Sequence, residues 1–192
     1  MLLLRHGSGL LTEVLRDKNG LTEEEFLRQY RSDKYPKPSL TADILVFRKG
    51  AGNTVHLLMV RRKGHPFLGC LALPGGFAKA GETIESTAAR ELLEETGISD
   101  KELKLVGVYS RPGRDPRGWT VSVAYAALAE YNGIAPTAGD DAASVHWIPL
   151  EADADGRYRL ATNEALAFDH ADIITDAIRM MFPKSLKCMD GK

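Results

Sequence analysis

The sequence predicts an α/β fold, a mixed β-sheet covered by helices, preceded by a short helical segment. Five stretches rich in β-branched and apolar residues lie between Leu40 and Ile148. One amphipathic helix pattern interrupts them, another follows them, and a pair of prolines sets apart what comes before. A strand series broken by helices calls for a sheet with covered faces rather than a closed barrel.

In chain order, Leu21-Thr22-Glu23-Glu24-Glu25-Phe26 reads as a helix start. Thr22 is the N-cap, Glu25 completes a capping box, and Leu21 is placed to staple onto Phe26. Phe26 and Tyr30 share a face of this helix. Tyr35-Pro36-Lys37-Pro38 then enforces an extended link, so residues 1–38 form a helical appendage and linker and residues 39–192 the main domain. There, Leu40 to Phe47 and Val55 to Arg61 form a hairpin across the turn residues Lys49-Gly50-Ala51-Gly52-Asn53. A helix follows from Ile84, capped by Thr83, to Thr96, with Gly97 suited to the left-handed position that ends it. Its apolar stripe is Ile84, Ala88 and Leu92, with Ala89 beside Leu93. Leu103 to Tyr109, Val121 to Leu128 and Val145 to Ile148 are further strands, and Asp169 to Met181 is the last helix. No internal repeat or low-complexity tract occurs.

Composition narrows the function. With 192 residues, 44% of them apolar, the chain can bury a real core. Its 25 basic and 26 acidic residues leave no polybasic face, so neither nucleic acid nor an anionic membrane is the expected partner, and an anionic substrate must be held locally. Cys70 and Cys188 form no CxxC pair, which argues against a zinc knuckle or a disulfide framework and for a reducing cytoplasm. Met1-Leu2-Leu3-Leu4 is too short for a signal peptide core and is cut off by Arg5; no run reaches membrane-spanning length.

The central oddity is Gly75 to Ile98, "GGFAKAGETIESTAARELLEETGI". Glu91, Glu94 and Glu95 fall at i, i+3 and i+4, which gathers their carboxylates on one helix face near the negative end of the helix dipole. Each such like-charge pair opposes helix formation by about 0.2–0.5 kcal/mol. A divalent cation such as Mg²⁺ or Mn²⁺ is the natural compensator for clustered hard oxygen anions. The plainer alternative is a solvated acidic face with Arg90 bridging to Glu94. Two glycines just upstream, in Leu73-Pro74-Gly75-Gly76-Phe77, allow the backbone to turn sharply and approach a ligand.

Gly76, Glu82 and the run Arg90-Glu91-Leu92-Leu93-Glu94-Glu95-Thr96-Gly97-Ile98 resemble the Nudix hydrolase signature at every fixed position. The resemblance implies an α/β/α sandwich that cleaves a nucleoside diphosphate linked to another moiety, using Mg²⁺ or Mn²⁺ and water. It further implies that Glu91, Glu94 and Glu95 bind metal, with the Gly76 carbonyl as another ligand and Glu82 in the outer part of the site. Arg90 would orient a glutamate. The general base is Glu94 or a loop carboxylate, Asp140, Asp141 or Glu151.

Ser110 to Ser122 is similar to the corresponding segment of ADP-ribose pyrophosphatases, with Pro112 near a proline of that subfamily. ADP-ribose is therefore the favoured substrate. Arg114 and Arg117 are expected to clamp phosphates or the terminal ribose; the alternative is a pair of solvated loop arginines with Asp115 as local partner. Arg61-Arg62 precedes Gly64-His65-Pro66-Phe67, a stretch similar to one that approaches the nucleotide in relatives, so Arg62 is expected to meet a phosphate, and Phe67 either walls the base or belongs to the core. Trp119 is open between stacking on adenine and packing.

Rival readings are weaker. Leu4-Arg5-His6-Gly7 carries the Arg-His-Gly of histidine phosphatases, but a three-residue motif recurs by chance, and His6 is assigned no catalytic role. His170 is expected to cap or pack rather than bind a ligand. Phe168 to Ile174 resembles the end of Nudix-like domains that sense ADP-ribose-type metabolites and regulate transcription. The stretch after Met181 is too short for a DNA-binding domain, which favours the enzyme over the sensor. A housecleaning nucleoside triphosphate pyrophosphatase would share the same box. The N-terminal helix, lying outside the minimal fold, is expected to support a homodimer, as is common among related ADP-ribose enzymes.

Overall fold

The structure, a computed structural model, describes residues 14–50, 54–99, 101–129 and 142–183. It falls into two units, Met1–Lys37 and Pro38–Lys192. In the first, helix α1 (Glu23–Gln29) is closed by the capping box expected from its sequence. The amide of Glu25 donates to Thr22 Oγ1 at 3.2 Å and the amide of Thr22 donates to the Glu25 carboxylate at 2.8 Å. Phe26 and Tyr30 lie 5.7 Å apart on one face, and both are exposed.

The second unit is built on strands β1 (Ser39–Lys49), β2 (Val55–Arg62), β3 (Leu71–Ala72), β4 (Gly75–Phe77), β5 (Lys104–Tyr109), β6 (Thr120–Ala129), β7 (Ala142–Ala152) and β8 (Tyr158–Leu160), with helices α2 (Ile84–Thr96) and α3 (His170–Met181). Among the described residues these strands form one mixed sheet in the order β5-β6-β1-β2-β7-β8. The β1–β6 pair is parallel and the other named pairs are antiparallel.

Alternation along β1 explains the layering. Leu45 and Phe47 point to one face, where they pack with Ile173, Ile174, Ala177 and Ile178 of α3. Ile44 and Val46 point to the other and meet Ala88 and Leu92 of α2. Each fully buried aliphatic side chain contributes about 1.5–3 kcal/mol relative to exposure, so both faces of β1 carry a core. The result is an α/β/α sandwich.

The site is made by a split in this sheet. Near their turn β1 and β2 pair directly, Phe47 opposite Leu57. Farther along, β2 pairs with β3 and β1 with β4, so the segment from Leu71 to Phe77 wedges between them. The amide of Ile44 donates to the carbonyl of Pro74 at the junction. Gly75, at φ 156°, lies so close to β1 that a Cβ there would fall 2.2 Å from the carbonyl oxygen of Ala42.

Two expectations are corrected here. Gly75 and Gly76 do not form a sharp turn; they lie in β4, paired with Asp43 and Ala42. Ala89 and Leu93 are exposed rather than laid on the sheet, and Thr87 and Thr96 are buried in their place. Those two hydroxyls can be buried because each is bonded, Thr87 to Glu82 and the Thr83 carbonyl, Thr96 to the Leu92 carbonyl.

Candidate active site

Helix α2 begins where Thr83 Oγ1 accepts from the Ser86 amide and ends at Gly97, φ 71°, whose amide donates to the Leu93 carbonyl. It runs beside β4, and between them and the splayed strands opens a cavity of about 720 Å³. Arg90, Glu91, Glu94 and Glu95 of α2 form one wall, Arg61, Arg62 and Arg117 contribute positive charge, and Asp43, Arg114 and His170 reach it from the floor.

On the acidic wall, Arg90 is the organiser. Its Nε donates to Glu82 at 2.7 Å, and its Nη1 donates to Glu91 at 2.6 Å and Glu94 at 2.9 Å. Its Nη2 donates to Glu82 and to the Phe77 carbonyl. Glu82 also accepts from the Lys79 amide and the Thr87 hydroxyl, and these bonds, led by Arg90, push its carboxyl down to about 2. Glu82 thus stands behind Arg90 and is not among the residues lining the cavity. Glu95 accepts from the Gly75 amide at 2.9 Å.

Gly76 sets the position of Glu91. A Cβ on Gly76 would lie 2.5 Å from Cδ and Oε1 of Glu91, so only glycine leaves a cradle for that carboxylate against β4. Among the described residues no three acidic, histidine or cysteine side chains already converge on a common point. The hard-oxygen chemistry of Glu91, Glu94 and Glu95 along one cavity wall, together with the Gly76 cradle, fits Mg²⁺ or Mn²⁺.

Arg117 forks onto Asp115 at 3.0 and 2.7 Å and lies 4.8 Å from the Phe77 ring and 5.4 Å from the Phe168 ring. Arg62 donates from Nε to the Pro66 carbonyl and lies 5.0 Å from the other ring contact, Phe168. Burial, and then the nearby charge of Arg117, lower the pKa of Arg62.

The reading of Arg114 as a solvated loop arginine partnered by Asp115 is corrected. Its side chain is 5% exposed, and Nε and Nη2 donate to Asp169 at 2.9 and 2.6 Å. Nη2 is also 3.7 Å from Asp43, which accepts from the Ser122 hydroxyl. His170 is buried; its Nδ1 accepts from the Leu73 amide at 2.9 Å, which places its proton on Nε2, facing Asp43 at 3.7 Å. Burial lowers its pKa. Arg114 still borders the cavity, but with two of its nitrogens engaged by Asp169.

Other expected residues lie elsewhere. Pro112 is exposed and does not line the cavity. Phe67 is not core: it is 37% exposed and packs on Phe168 at 4.7 Å. Trp119 is 56% exposed, so it does not serve as core packing. Glu151 is exposed on β7, paired with Arg159, and away from the cavity lining. Asp140, Asp141 and His6 lie outside the described residues. Of the proposed base carboxylates among the described residues, Glu94 lines the cavity. Asp43, Asp169 and Phe168 were not anticipated as site residues. A charged residue inside the apolar run Ala42 to Phe47 is the signal that marks Asp43.

The sandwich thus carries a glycine-cradled glutamate helix on the wall of its cavity. The chain belongs to the Nudix family: the model of the NUDIX domain matches residues 37–167. It is a Nudix pyrophosphohydrolase, similar to an ADP-ribose pyrophosphatase of Methanocaldococcus jannaschii at 38% identity over 80% of this chain and 79% of the relative. It is also 33% identical, over 87% of its length and 64% of the relative's, to the ADPR responsive transcriptional repressor NtrR of Acinetobacter baylyi. Among solved structures, the NUDIX domain of Shewanella oneidensis NrtR complexed with ADP ribose superposes with a TM-score of 0.71 at 31% identity, covering 84% of this chain and 99% of that one. Among the described residues no helix is long and apolar enough to cross a membrane.

Proposed function

We propose that this protein hydrolyses ADP-ribose to AMP and ribose 5-phosphate in a reaction dependent on Mg²⁺ or Mn²⁺. The observation that carries the reading is the pairing, in one cavity, of a carboxylate wall (Glu91, Glu94, Glu95) with the guanidinium groups of Arg62 and Arg117. A diphosphate needs both: cations to neutralise its oxygens and donors to orient it.

Glu91, Glu94, Glu95 and the Gly76 carbonyl would hold the metal, which when bound offsets phosphate charge and lowers the pKa of water. Arg90 aims Glu91 and Glu94 by donating to both. Glu94, 52% exposed, is our candidate to accept the proton of the attacking water. Arg62 and Arg117 bind phosphoryl oxygens. Water adds to one phosphorus as the anhydride P–O bond breaks, and the other phosphate leaves with the bond's electron pair.

The name of the Methanocaldococcus relative and the ADP-ribose in the Shewanella complex support the choice of substrate. A second reading, an ADP-ribose sensor without turnover, has its support in the Acinetobacter repressor. A housecleaning triphosphate pyrophosphatase is the third. The test is a panel of ADP-ribose, NADH, diadenosine polyphosphates, nucleotide sugars and oxidised dGTP with Mg²⁺. Release of AMP and ribose 5-phosphate is the expected result; intact ADP-ribose, tightly bound, would establish the sensor instead. We further propose a cytoplasmic homodimer supported by α1, whose Phe26, Leu27 and Tyr30 are exposed within its own unit. Sedimentation as a monomer at micromolar concentration would contradict this.

A further inference from the structure

Two phenylalanines beside the cavity adopt backbone conformations that bulky L-residues avoid: Phe67 at φ 62° and Phe168 at φ 51°. Their rings pack against each other, tilted by 60°, with centroids 4.7 Å apart. Strain of this kind persists only where the surroundings impose it, and it gathers at ligand sites. Phe168 is pinned from both sides. The Ala167 amide before it donates to the Leu71 carbonyl at 2.8 Å, while Asp169 after it is gripped by the Arg114 fork and His170 by the Leu73 amide.

The strain is not explained by burial, because the Phe168 ring is only partly covered and lines the cavity. What the ring touches is informative. The Arg62 guanidinium is 5.0 Å from its centre and the Arg117 guanidinium 5.4 Å, with Phe77 on Arg117 as well. Two guanidinium groups are therefore gathered around one ring, with the Asp115 carboxylate already on Arg117, and their like charge favours an anion that can bridge them.

We propose that Phe168, backed by Phe67, is a positioning residue that holds Arg62 and Arg117 as a paired receptor for the two phosphoryl groups of a diphosphate. This rests on the reading of the cavity as a diphosphate site, and it adds that the aromatic pair, together with the arginines' own bonds to Pro66 and Asp115, fixes their separation. Neither phenylalanine touches the reacting atoms.

The test compares Phe168→Leu, which keeps apolar bulk without a π face, with Phe168→Tyr, which keeps the face. ADP-ribose turnover with Mg²⁺ and calorimetric binding of inorganic pyrophosphate are both measured. Loss of two cation–π contacts predicts, for Phe168→Leu, a KM for ADP-ribose raised about tenfold with kcat within about twofold, and pyrophosphate affinity reduced in parallel. Phe168→Tyr should match the parent. Phe67→Leu, which leaves the first ring in place, should shift KM about threefold in the same direction and serves if Phe168→Leu does not fold. Unchanged KM and pyrophosphate affinity in the leucine variants, or equal impairment in Phe168→Tyr, would overturn the proposal. Pyrophosphate binding that follows this pattern without ADP-ribose turnover would keep the receptor and sink the substrate assignment; no pyrophosphate binding by the parent would overturn the receptor itself.

Discussion

Arg114 and Asp169 form a forked ion pair on the cavity floor, with side chains 5% and 4% exposed and bonds of 2.9 and 2.6 Å. Breaking such a pair on one side leaves an uncompensated buried charge, a loss on the order of 3–5 kcal/mol. Arg114→Leu is therefore expected to lower the urea unfolding free energy by about that much, and Arg114→Leu with Asp169→Leu by clearly less. A single variant as stable as the parent would show that the pair does not hold the start of α3.

Gly76→Ala is expected to leave the fold and remove activity. The new Cβ would occupy the space of the Glu91 carboxylate, 2.5 Å from its Cδ, and the side chain must swing away. Circular dichroism should be unchanged while kcat falls by about two orders of magnitude, the scale of a lost, well-placed charged group. Full turnover in Gly76→Ala would refute the cradle.

His170 makes stability depend on pH. Its pKa is lowered on folding, chiefly by burial, from an ordinary value of 6.5, so the unfolded chain takes up the proton more readily. The contribution is fully present above about pH 6.5 and is lost as pH falls below it toward the depressed folded value. The urea midpoint of the parent should drop between pH 7.5 and pH 5.5. In His170→Asn, whose amide oxygen can accept from Leu73 in place of Nδ1, this part of the drop should disappear. Parallel pH profiles would count against a neutral buried imidazole.

The acidic half of the site was legible because its geometry is local: residues at i, i+3 and i+4 on a helix capped by Thr83 and Gly97 must share a face. The long strands and both helices of the main unit were legible for a similar reason, since several residues display a period. Strands β3, β4 and β8, of two or three residues, display none. The floor was hidden by sequence distance: Arg114 and Asp169 are 55 residues apart, and Asp43 meets Ser122 only through the parallel β1–β6 pairing. The sequence puts Arg114 in the right neighbourhood, but its buried partner, Asp169, comes from just before α3, which no local pattern supplies.

The most direct test of the account is ADP-ribose turnover by the parent, Glu94→Gln and Glu95→Gln, each with Mg²⁺ and with EDTA. The carboxylate wall predicts AMP and ribose 5-phosphate from the parent only with the metal, and kcat lower by roughly 10²–10⁴-fold in Glu94→Gln and markedly reduced in Glu95→Gln, with unfolding midpoints unchanged. Equal turnover in EDTA, or full activity in both glutamine variants, would contradict it.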